Sequence, residues 1–318
     1  MKLLITGGTG FIGGAFIRMW HREHPDDTIV NLDLLTYAAN PKALADVEKS
    51  DKYTFIHGDI ADPVAVKKAM EGADWVVHFA AETHVDRSIT GPAAFVRTNI
   101  LGTHTLLEAA RDAGVKRFHH ISTDEVFGEL ELTSTDKFSE TTPYHPHSPY
   151  SASKAGADHL VRAYFRTFGL PVTISNCTNN YGPWQHPEKL IPHMVGKALD
   201  DEKLPVYGKG ENVRDWIHVE DHCRGIALIL EKGKVGETYC LGGDAERTNL
   251  QIVKEILGLT GKDESLISFV EDRAGHDLRY AIDSSKAVRE LGWERRHTFE
   301  TGLGETVQWY MDHPEVYA

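Results

Sequence analysis

The chain has 318 residues, enough to bury a substantial core in one large domain or in two lobes. Its 34 Lys and Arg against 47 Asp and Glu give a formal net charge of −13, which argues against a nucleic-acid-binding protein. No apolar run approaches membrane-spanning length, and a strand pattern starting at the N-terminus leaves no room for a signal peptide. We therefore expect a cytoplasmic protein with no membrane partner.

A glycine-rich turn near the N-terminus has the order of a dinucleotide-binding unit. A short apolar strand runs into Gly7, Gly10 and Gly13, and a helical pattern follows. These glycines allow a tight turn and close approach of the backbone to a pyrophosphate at the helix N-terminus. A second apolar strand ends at Asp33, the position at which dinucleotide-binding folds have an acidic residue that hydrogen-bonds the adenosine ribose. Leu34 and Leu35 follow, with no Arg to receive a ribose phosphate, so the pattern favours NAD over NADP.

The rest of the first half alternates between apolar strands and helices. Strands are predicted at 53–57, 75–79 and 117–121, and helices near 63–70, 92–113 and 149–168. This alternation predicts an α/β fold with a doubly wound parallel sheet of Rossmann type, whose ligands bind at the carboxyl ends of the strands. Asp59-Ile60 and Ala80-Ala81 lie at such ends and are candidate adenine and ribose contacts, or else simple turns.

The second half is less regular. It predicts short strands at 204–207, 216–219 and 237–241, and helices at 189–200, 219–231, 248–258 and 298–312. We expect residues 1–178 to form mainly the NAD-binding domain. Residues 179–318 would form mainly a smaller mixed α/β substrate lobe, with some segments returning to the first domain.

Cysteine and histidine usage gives no sign of a metal or a disulfide framework. Cys177, Cys223 and Cys240 are odd in number and widely spaced, as expected for reduced, mostly buried thiols. The 18 histidines include no His-x-x-x-His pair with a neighbouring Asp or Glu. His119 and His120 are neighbours in a strand and would point to opposite faces, so no metal is expected.

Two short stretches carry candidate catalytic groups. Tyr150 and Lys154 are one helical turn apart, so the Lys154 ammonium would lie beside the Tyr150 phenol and lower the pKa of that phenol. The alternative is that both residues belong to an ordinary amphipathic helix with no catalytic role. Thr123 precedes Asp124 and Glu125, two carboxyl groups that could serve as general acid and base beside a hydride acceptor. The alternative for this pair is an acidic loop or helix start.

The glycine motif at 6–13 and Tyr150-x-x-x-Lys154 resemble the extended short-chain dehydrogenase/reductases, which act largely on nucleotide sugars. Within that group the chain is similar to the dTDP-glucose 4,6-dehydratase family over nearly its whole length. The matching stretches are 33–40, 81–88, 122–128, 148–155, 179–183, 187–192, 210–219 and 272–277. The decisive stretch is 123–125, because epimerases and decarboxylases of the group lack the adjacent Asp and Glu.

The resemblance implies a lyase that forms dTDP-4-keto-6-deoxyglucose. Tyr150 would take the proton of the sugar 4-hydroxyl while the C4 hydride passes to NAD. Glu125 would then remove the C5 proton, Asp124 would protonate the departing C6 hydroxyl, and the hydride would return to C6. Thr123 would hydrogen-bond the 4-oxygen, and Lys154 would bind the nicotinamide ribose and keep Tyr150 acidic.

The resemblance also implies contact residues and an assembly. The cofactor residues would be Gly7, Gly10, Phe11, Ile12, Gly13, Asp33, Asp59, Ile60, Ala80, Ala81, Tyr150, Lys154 and Asn180. The nucleotide-sugar residues would be Thr83, Thr123, Asn179, Glu188, Lys189, Arg214, Asn249, Arg273 and His276. A homodimer would form through the helices at 92–113 and 149–168, although their apolar residues could equally be intrachain core.

Three positions depart from the family pattern. Ala39, Asn176 and Ala274 stand where the family often has Gly, Arg and Pro. They leave open a second interpretation, an NAD-dependent dehydratase or 4-epimerase of another UDP, CDP or GDP sugar. A third is a catalytically silent NAD-binding sensor, against which the intact set of acid, base and phenol argues.

Overall fold

The computed structural model describes residues 1–272 and 276–316. The predicted contact residue Arg273 lies outside these ranges. The strands of the described residues are β1 (Lys2–Thr6), β2 (Thr28–Asp33), β3 (Tyr53–His57), β4 (Trp75–His78), β5 (Arg117–Thr123), β6 (Val172–Cys177), β7 (Asn179–Tyr181), β8 (Leu204–Tyr207), β9 (Val213–His218), β10 (Thr238–Leu241), β11 (Glu246–Thr248) and β12 (Ile267–Val270).

The same residues form helices between and after these strands. A 3₁₀ turn, Asp124–Phe127, follows β5 directly, and a π-helical segment, Val96–Gly102, joins α4 to α5. The α-helices are α1 (Phe11–Glu23), α2 (Pro63–Met70), α3 (Val85–Thr90), α4 (Pro92–Phe95), α5 (Thr103–Ala113), α6 (Pro149–Phe168), α7 (Leu190–Leu199), α8 (Val219–Lys232), α9 (Asn249–Thr260), α10 (Ser285–Leu291) and α11 (Phe299–Asp312). None of the helices described is long and apolar enough to cross a membrane.

Seven strands form one parallel sheet in the order β10-β6-β5-β4-β1-β2-β3. The strand order reverses between β1 and β4, which is the topological switch point where ligands bind in doubly wound sheets. The predicted fold class is therefore confirmed. The glycine turn after β1 and the loop after β4 meet at this point, so the switch point positions the site.

Helices cover both faces of this sheet because its central strands are apolar on both sides. Leu3 and Ile5 point to the face covered by α1, α8 and α10, where Trp20 and Trp293 are buried. Leu4 points to the opposite face, which is covered by α2, α5 and α6. The side facing α1 is thus completed by helices from the second half of the chain.

A smaller lobe is built by the remaining elements. β11, β9 and β7 form a three-stranded sheet, and β12 pairs with β8. The helices α7, α9 and α11 pack around a core that includes Tyr181, Trp216 and Ile252. Arg214 and Asp215 on β9 lie close enough to Asp124 for their charges to affect its pKa, so this lobe borders the crevice of the large sheet.

Most of the longer elements lie where the sequence predicts them, and two differences are informative. The helix predicted at 92–113 is interrupted by the π segment, which contains the buried Asn99. The Asn99 amide binds the Glu82 backbone: its Oδ1 accepts from the Glu82 N–H at 2.9 Å, and its Nδ2 donates to the Glu82 C=O at 3.0 Å. The sequence pattern does not predict strand β6 of the large sheet or the short elements β7, β11, β12, α3 and α10. Periodicity carries too little signal in three to seven residues.

Candidate active site

The glycine turn after β1 is shaped by close backbone contacts. Gly7 has φ +70°, and a Cβ there would lie 2.6 Å from the Ala80 backbone. A Cβ at Gly13 would lie 2.3 Å from the Gly7 carbonyl oxygen, so α1 can approach the turn only because residue 13 is glycine. Helix α1 begins after Gly10, which offers no side-chain cap to the first backbone N–H groups. These groups suit the pyrophosphate of a dinucleotide.

Asp33 is fixed at the end of β2 as a hydrogen-bond acceptor. Its Oδ2 accepts from the Thr9 N–H at 2.9 Å, and its Oδ1 accepts from the Leu35 N–H at 2.8 Å. Asp59, at the end of β3, accepts from the Ala61 N–H at 2.8 Å and pairs with Arg97. Both carboxylates are held by backbone contacts at the ends of neighbouring strands.

One cavity follows the carboxyl ends of the strands from β3 to β6. All the predicted cofactor residues and all the predicted catalytic residues line it. The cavity continues past β5 toward the smaller lobe, where Cys177, Thr178, Asn179 and Gln185 also line it. The fold therefore brings the glycine turn and the Tyr-Lys pair to a single site, while the roles of the individual residues stay predictions.

Tyr150 occupies the first turn of α6, whose start is fixed by a capping box. The Ser148 Oγ accepts from the Ser151 N–H at 3.0 Å, and the Ser151 Oγ accepts from the Ser148 N–H at 3.0 Å. Pro149 at the first helical position adds a preset φ. The helix start thus sets the direction from which the Tyr150 phenol enters the cavity.

Burial raises the pKa of Tyr150 well above its ordinary value, and the neighbouring Glu125 raises it further, whereas a hydrogen bond with Thr123 opposes the change. The effect of Lys154 on this pKa stays a prediction. The Lys154 ammonium donates to the Ile121 carbonyl at 2.7 Å.

Asp124 and Glu125 differ in their surroundings. Asp124 is buried, and burial raises its pKa well above the ordinary value, with the charges of Glu125 and Asp215 adding to the effect. Glu125 is half-buried and lines the same cavity. A carboxyl group with a raised pKa therefore lies next to a second, more accessible one, and acid-base chemistry needs two such groups in different surroundings.

Comparison with known proteins defines the family. Residues 4–306 match the family described as GDP-mannose 4,6 dehydratase. The chain is 51% identical to dTDP-glucose 4,6-dehydratase 1 of Escherichia coli, covering 98% of this chain and 93% of that one. It is 52% identical to the Mycobacterium tuberculosis dTDP-glucose 4,6-dehydratase, covering 98% and 94%. The chain belongs to the dTDP-glucose 4,6-dehydratase family.

A solved member of this family has the same fold. The Streptomyces venezuelae dTDP-glucose 4,6-dehydratase, whose crystal structure has NAD bound, superposes with a TM-score of 0.96 at 50% identity, covering 99% of this chain and 98% of that one.

The residues predicted to face the nucleotide sugar divide into two groups. Thr83, Thr123, Asn179 and Lys189 line the cavity. Four others do not: Glu188, Arg214, Asn249 and His276. The Glu188 carboxylate instead pairs with Arg87 at 2.6 Å at the rim.

Three of these residues have other contacts in the smaller lobe. Arg214 is buried, donates to the Asp277 carbonyl at 2.9 Å and lies over the Tyr280 ring. His276 Nδ1 lies 2.7 Å from Asp272 Oδ1, and the Asn249 N–H donates to the Asn212 carbonyl at 3.0 Å at the start of α9. Arg214, His276 and Asn249 therefore have partners within the smaller lobe and do not line the cavity.

Sequence reasoning missed residues that support the site from behind. Asn99 fixes the loop after β4 through Glu82, and His222 Nδ1 lies 2.8 Å from Asn180 Oδ1, which holds a predicted cofactor residue in place. Each contact joins residues at least 17 positions apart. No local pattern in the sequence signals them.

Proposed function

We propose that the protein is an NAD-dependent lyase that converts dTDP-glucose to dTDP-4-keto-6-deoxyglucose. The NAD cofactor, when bound, supplies the hydride acceptor for oxidation at C4 and the donor for reduction at C6. Tyr150 takes the proton of the 4-hydroxyl, Glu125 takes the C5 proton, and Asp124 protonates the departing C6 hydroxyl. The names of the relatives, at about half identity over nearly the full chain, support this substrate.

The observation that carries the proposal is the unequal pair at the end of β5. Loss of a hydroxyl group needs a proton donor, and burial beside Glu125 raises the pKa of Asp124, which favours its protonated form. Removal of a carbon-bound proton needs a base within the same cavity, and Glu125 lines it. A 4-epimerase needs hydride transfer alone, so it has no use for this pair.

The residues of the glycine turn fit NAD. The turn presents backbone N–H groups where a pyrophosphate would bind, and a Cβ at Gly7 or Gly13 would collide with backbone atoms. The Asp33 carboxylate at the end of β2 suits two ribose hydroxyl groups and would repel a ribose phosphate. We assign NAD binding to the predicted cofactor residues on this ground.

The same proposal covers the sugar nucleotide. Thr83, Thr123, Asn179 and Lys189 would contact it within the cavity. Contacts from Glu188, Arg214, Asn249, Arg273 and His276 stay part of the proposal and would require the smaller lobe to supply them.

The setting of the enzyme is also proposed. The three cysteines are free and buried, as in a protein of the reducing cytoplasm. We also propose that the product enters the synthesis of deoxysugars such as rhamnose.

A homodimer is supported by exposed apolar side chains on the two predicted interface helices: Val96 (53% exposed), Leu101 (49%) and Phe168 (51%). Light scattering of the wild type and of Leu101→Glu tests this assembly, because a dimer should dissociate in the variant.

The deciding experiment is incubation of the purified protein with dTDP-glucose without added cofactor, followed by mass analysis of the sugar nucleotide. Loss of one water with no net change in NAD supports the proposal. Conversion to the galactose isomer at unchanged mass would indicate a 4-epimerase. Reaction only with UDP-, CDP- or GDP-sugars would reassign the nucleotide, and failure with all of them would favour the silent sensor.

A further inference from the structure

A third polar side chain continues the line formed by Tyr150 and Lys154 on α6. Asp158 follows Lys154 by four residues, so the three side chains lie on one face of the helix, one turn apart. Asp158 is completely buried, at 0% exposure, and does not line the cavity. The proposed reaction gives this carboxyl group no task.

The contacts of Asp158 are those of an ionised carboxylate. Its Oδ2 accepts hydrogen bonds from the Ser122 hydroxyl at 2.8 Å and the Tyr144 hydroxyl at 2.7 Å. Burial raises the pKa of Asp158, but contact with His120, the charge of Lys154 and the Tyr144 hydroxyl outweigh it, and the net pKa is lowered. A buried negative charge therefore lies one helical turn from Lys154.

His120 on β5 lies between the two charges. Its Nε2 is 3.1 Å from Asp158 Oδ1 and 3.5 Å from Lys154 Nζ. Burial, followed by the charge of Lys154, lowers the pKa of His120 to about 4, so the ring is neutral at pH 7. A single ring nitrogen cannot donate to the carboxylate and accept from the ammonium at once, so the neutral imidazole lies between the two charges and adds no third one.

The Lys154 ammonium is only 5% exposed and needs a compensating negative charge. Burial lowers its pKa, and Asp158 is the strongest influence in the opposite direction, followed by Cys177. The titratable groups around it on the packed elements are Tyr150 and Asp158 on α6, His78 on β4, His120 on β5 and Cys177 on β6. Burial raises the pKa values of Tyr150 and Cys177 and lowers that of His78, so these three are neutral at pH 7.

We propose that Asp158 is a positioning residue, whose negative charge keeps the Lys154 ammonium charged and in place one helical turn from Tyr150. The value of this arrangement for turnover rests on the proposed function. The charge state of Lys154 does not, and it can be measured without substrate.

The first test is the titration of Lys154 followed by NMR of protein labelled with ¹⁵N at lysine side chains, with the signal assigned by Lys154→Arg. In Asp158→Asn the Lys154 midpoint should fall by about one pH unit, because the anion that favours the ammonium is removed. Asp221→Asn is the matched control, since Asp221 is an equally buried carboxylate on α8 that contacts His297. An unchanged midpoint in Asp158→Asn would overturn the inference.

The second test is the pH profile of kcat. In Asp158→Asn the loss of activity at alkaline pH should begin about one unit lower than in the wild type, with KM for dTDP-glucose little changed. In Asp221→Asn the pH at which kcat begins to fall should equal that of the wild type, even if the substitution lowers the stability of the protein. A profile of Asp158→Asn that overlays that of the wild type would count against the positioning role. If the wild type has no turnover but the NMR midpoint shifts, the proposed function fails and this inference stands.

A reciprocal measurement covers the case in which Asp158→Asn does not fold. Coupling between two charges is equal in both directions, so removing the cation should raise the midpoint of the Asp158 carboxyl group by the same amount. The variant is Lys154→Met, and the probe is NMR of ¹³C-labelled aspartate. An Asp158 midpoint equal to that of the wild type would reject the coupling.

Discussion

Asp124 and Glu125 are adjacent in sequence, yet only Asp124 is fully buried, and its raised pKa follows from that burial. We predict that Asp124→Asn combined with Glu125→Gln still oxidises the sugar at C4 but stalls there. Overall turnover should fall by at least about 10²-fold, the usual contribution of positioned acids and bases. The absorbance of the reduced nicotinamide should accumulate on mixing with dTDP-glucose. Complete absence of that absorbance would contradict the assignment of these two residues.

Tyr150 is predicted to act before them. Tyr150→Phe removes the hydroxyl group but keeps the buried ring, so hydride transfer should be lost while NAD binding is retained. Stopped-flow absorbance and NAD titration check the two parts separately. Tyr181→Phe is the matched control, because Tyr181 is also buried but lies in the core of the smaller lobe. Turnover that survives in Tyr150→Phe would rule out this base.

The positions of these residues could be read from the sequence, whereas their ionisation could not. Tyr150-x-x-x-Lys154 and the stretch 123–125 are local patterns, and the fold places both on one cavity. The pKa of Tyr150 depends on burial and on Glu125, which is 25 residues away in sequence. The burial that lowers the pKa of Lys154 comes from the packing of α6 on the sheet, which no local pattern shows.

At the level of elements, the start of α6 controls the direction of Tyr150. Ser148→Ala should cost about 1 kcal/mol of stability, because a capping hydrogen bond is lost. It should also lower kcat, since the first turn holds the phenol. Thr298→Ala removes the same kind of capping box from α11, away from the cavity, and should cost similar stability with kcat unchanged. Equal kcat values for the two variants would show that the cap of α6 is purely structural.

Local patterns in the sequence predict the bounds of several elements. The helices α2 and α6 and the strand β8 begin and end where the sequence indicates. The sequence does not predict the π segment before α5, because nothing in 96–102 marks an extra residue in the turn. The segment contains Asn99, whose amide contacts the Glu82 backbone, and this tertiary contact has no local signal.

For the molecule as a whole, buried histidines set the response to acid. Burial lowers the pKa of His222 to about 3 and those of His120 and His218 to about 4, against about 6.5 in the unfolded chain. Below pH 6.5 the unfolded chain binds protons that the folded protein does not, so stability falls as the pH falls. Each such histidine should contribute about 1.4 kcal/mol per pH unit. Urea unfolding of the wild type and of His222→Gln between pH 6 and 5 checks this, and equal slopes would contradict it.

The face of the large sheet that packs on α1 is completed by α8 and α10. Strand β10 pairs with β6 and forms the edge of the sheet on that side. All three come from the second half of the chain. A ribosome that has synthesised only the first half therefore carries a sheet whose apolar side, including Trp20, is still open to water. We expect this nascent chain to need shielding until α10 emerges, and a fragment of the first 178 residues to aggregate when it is expressed alone.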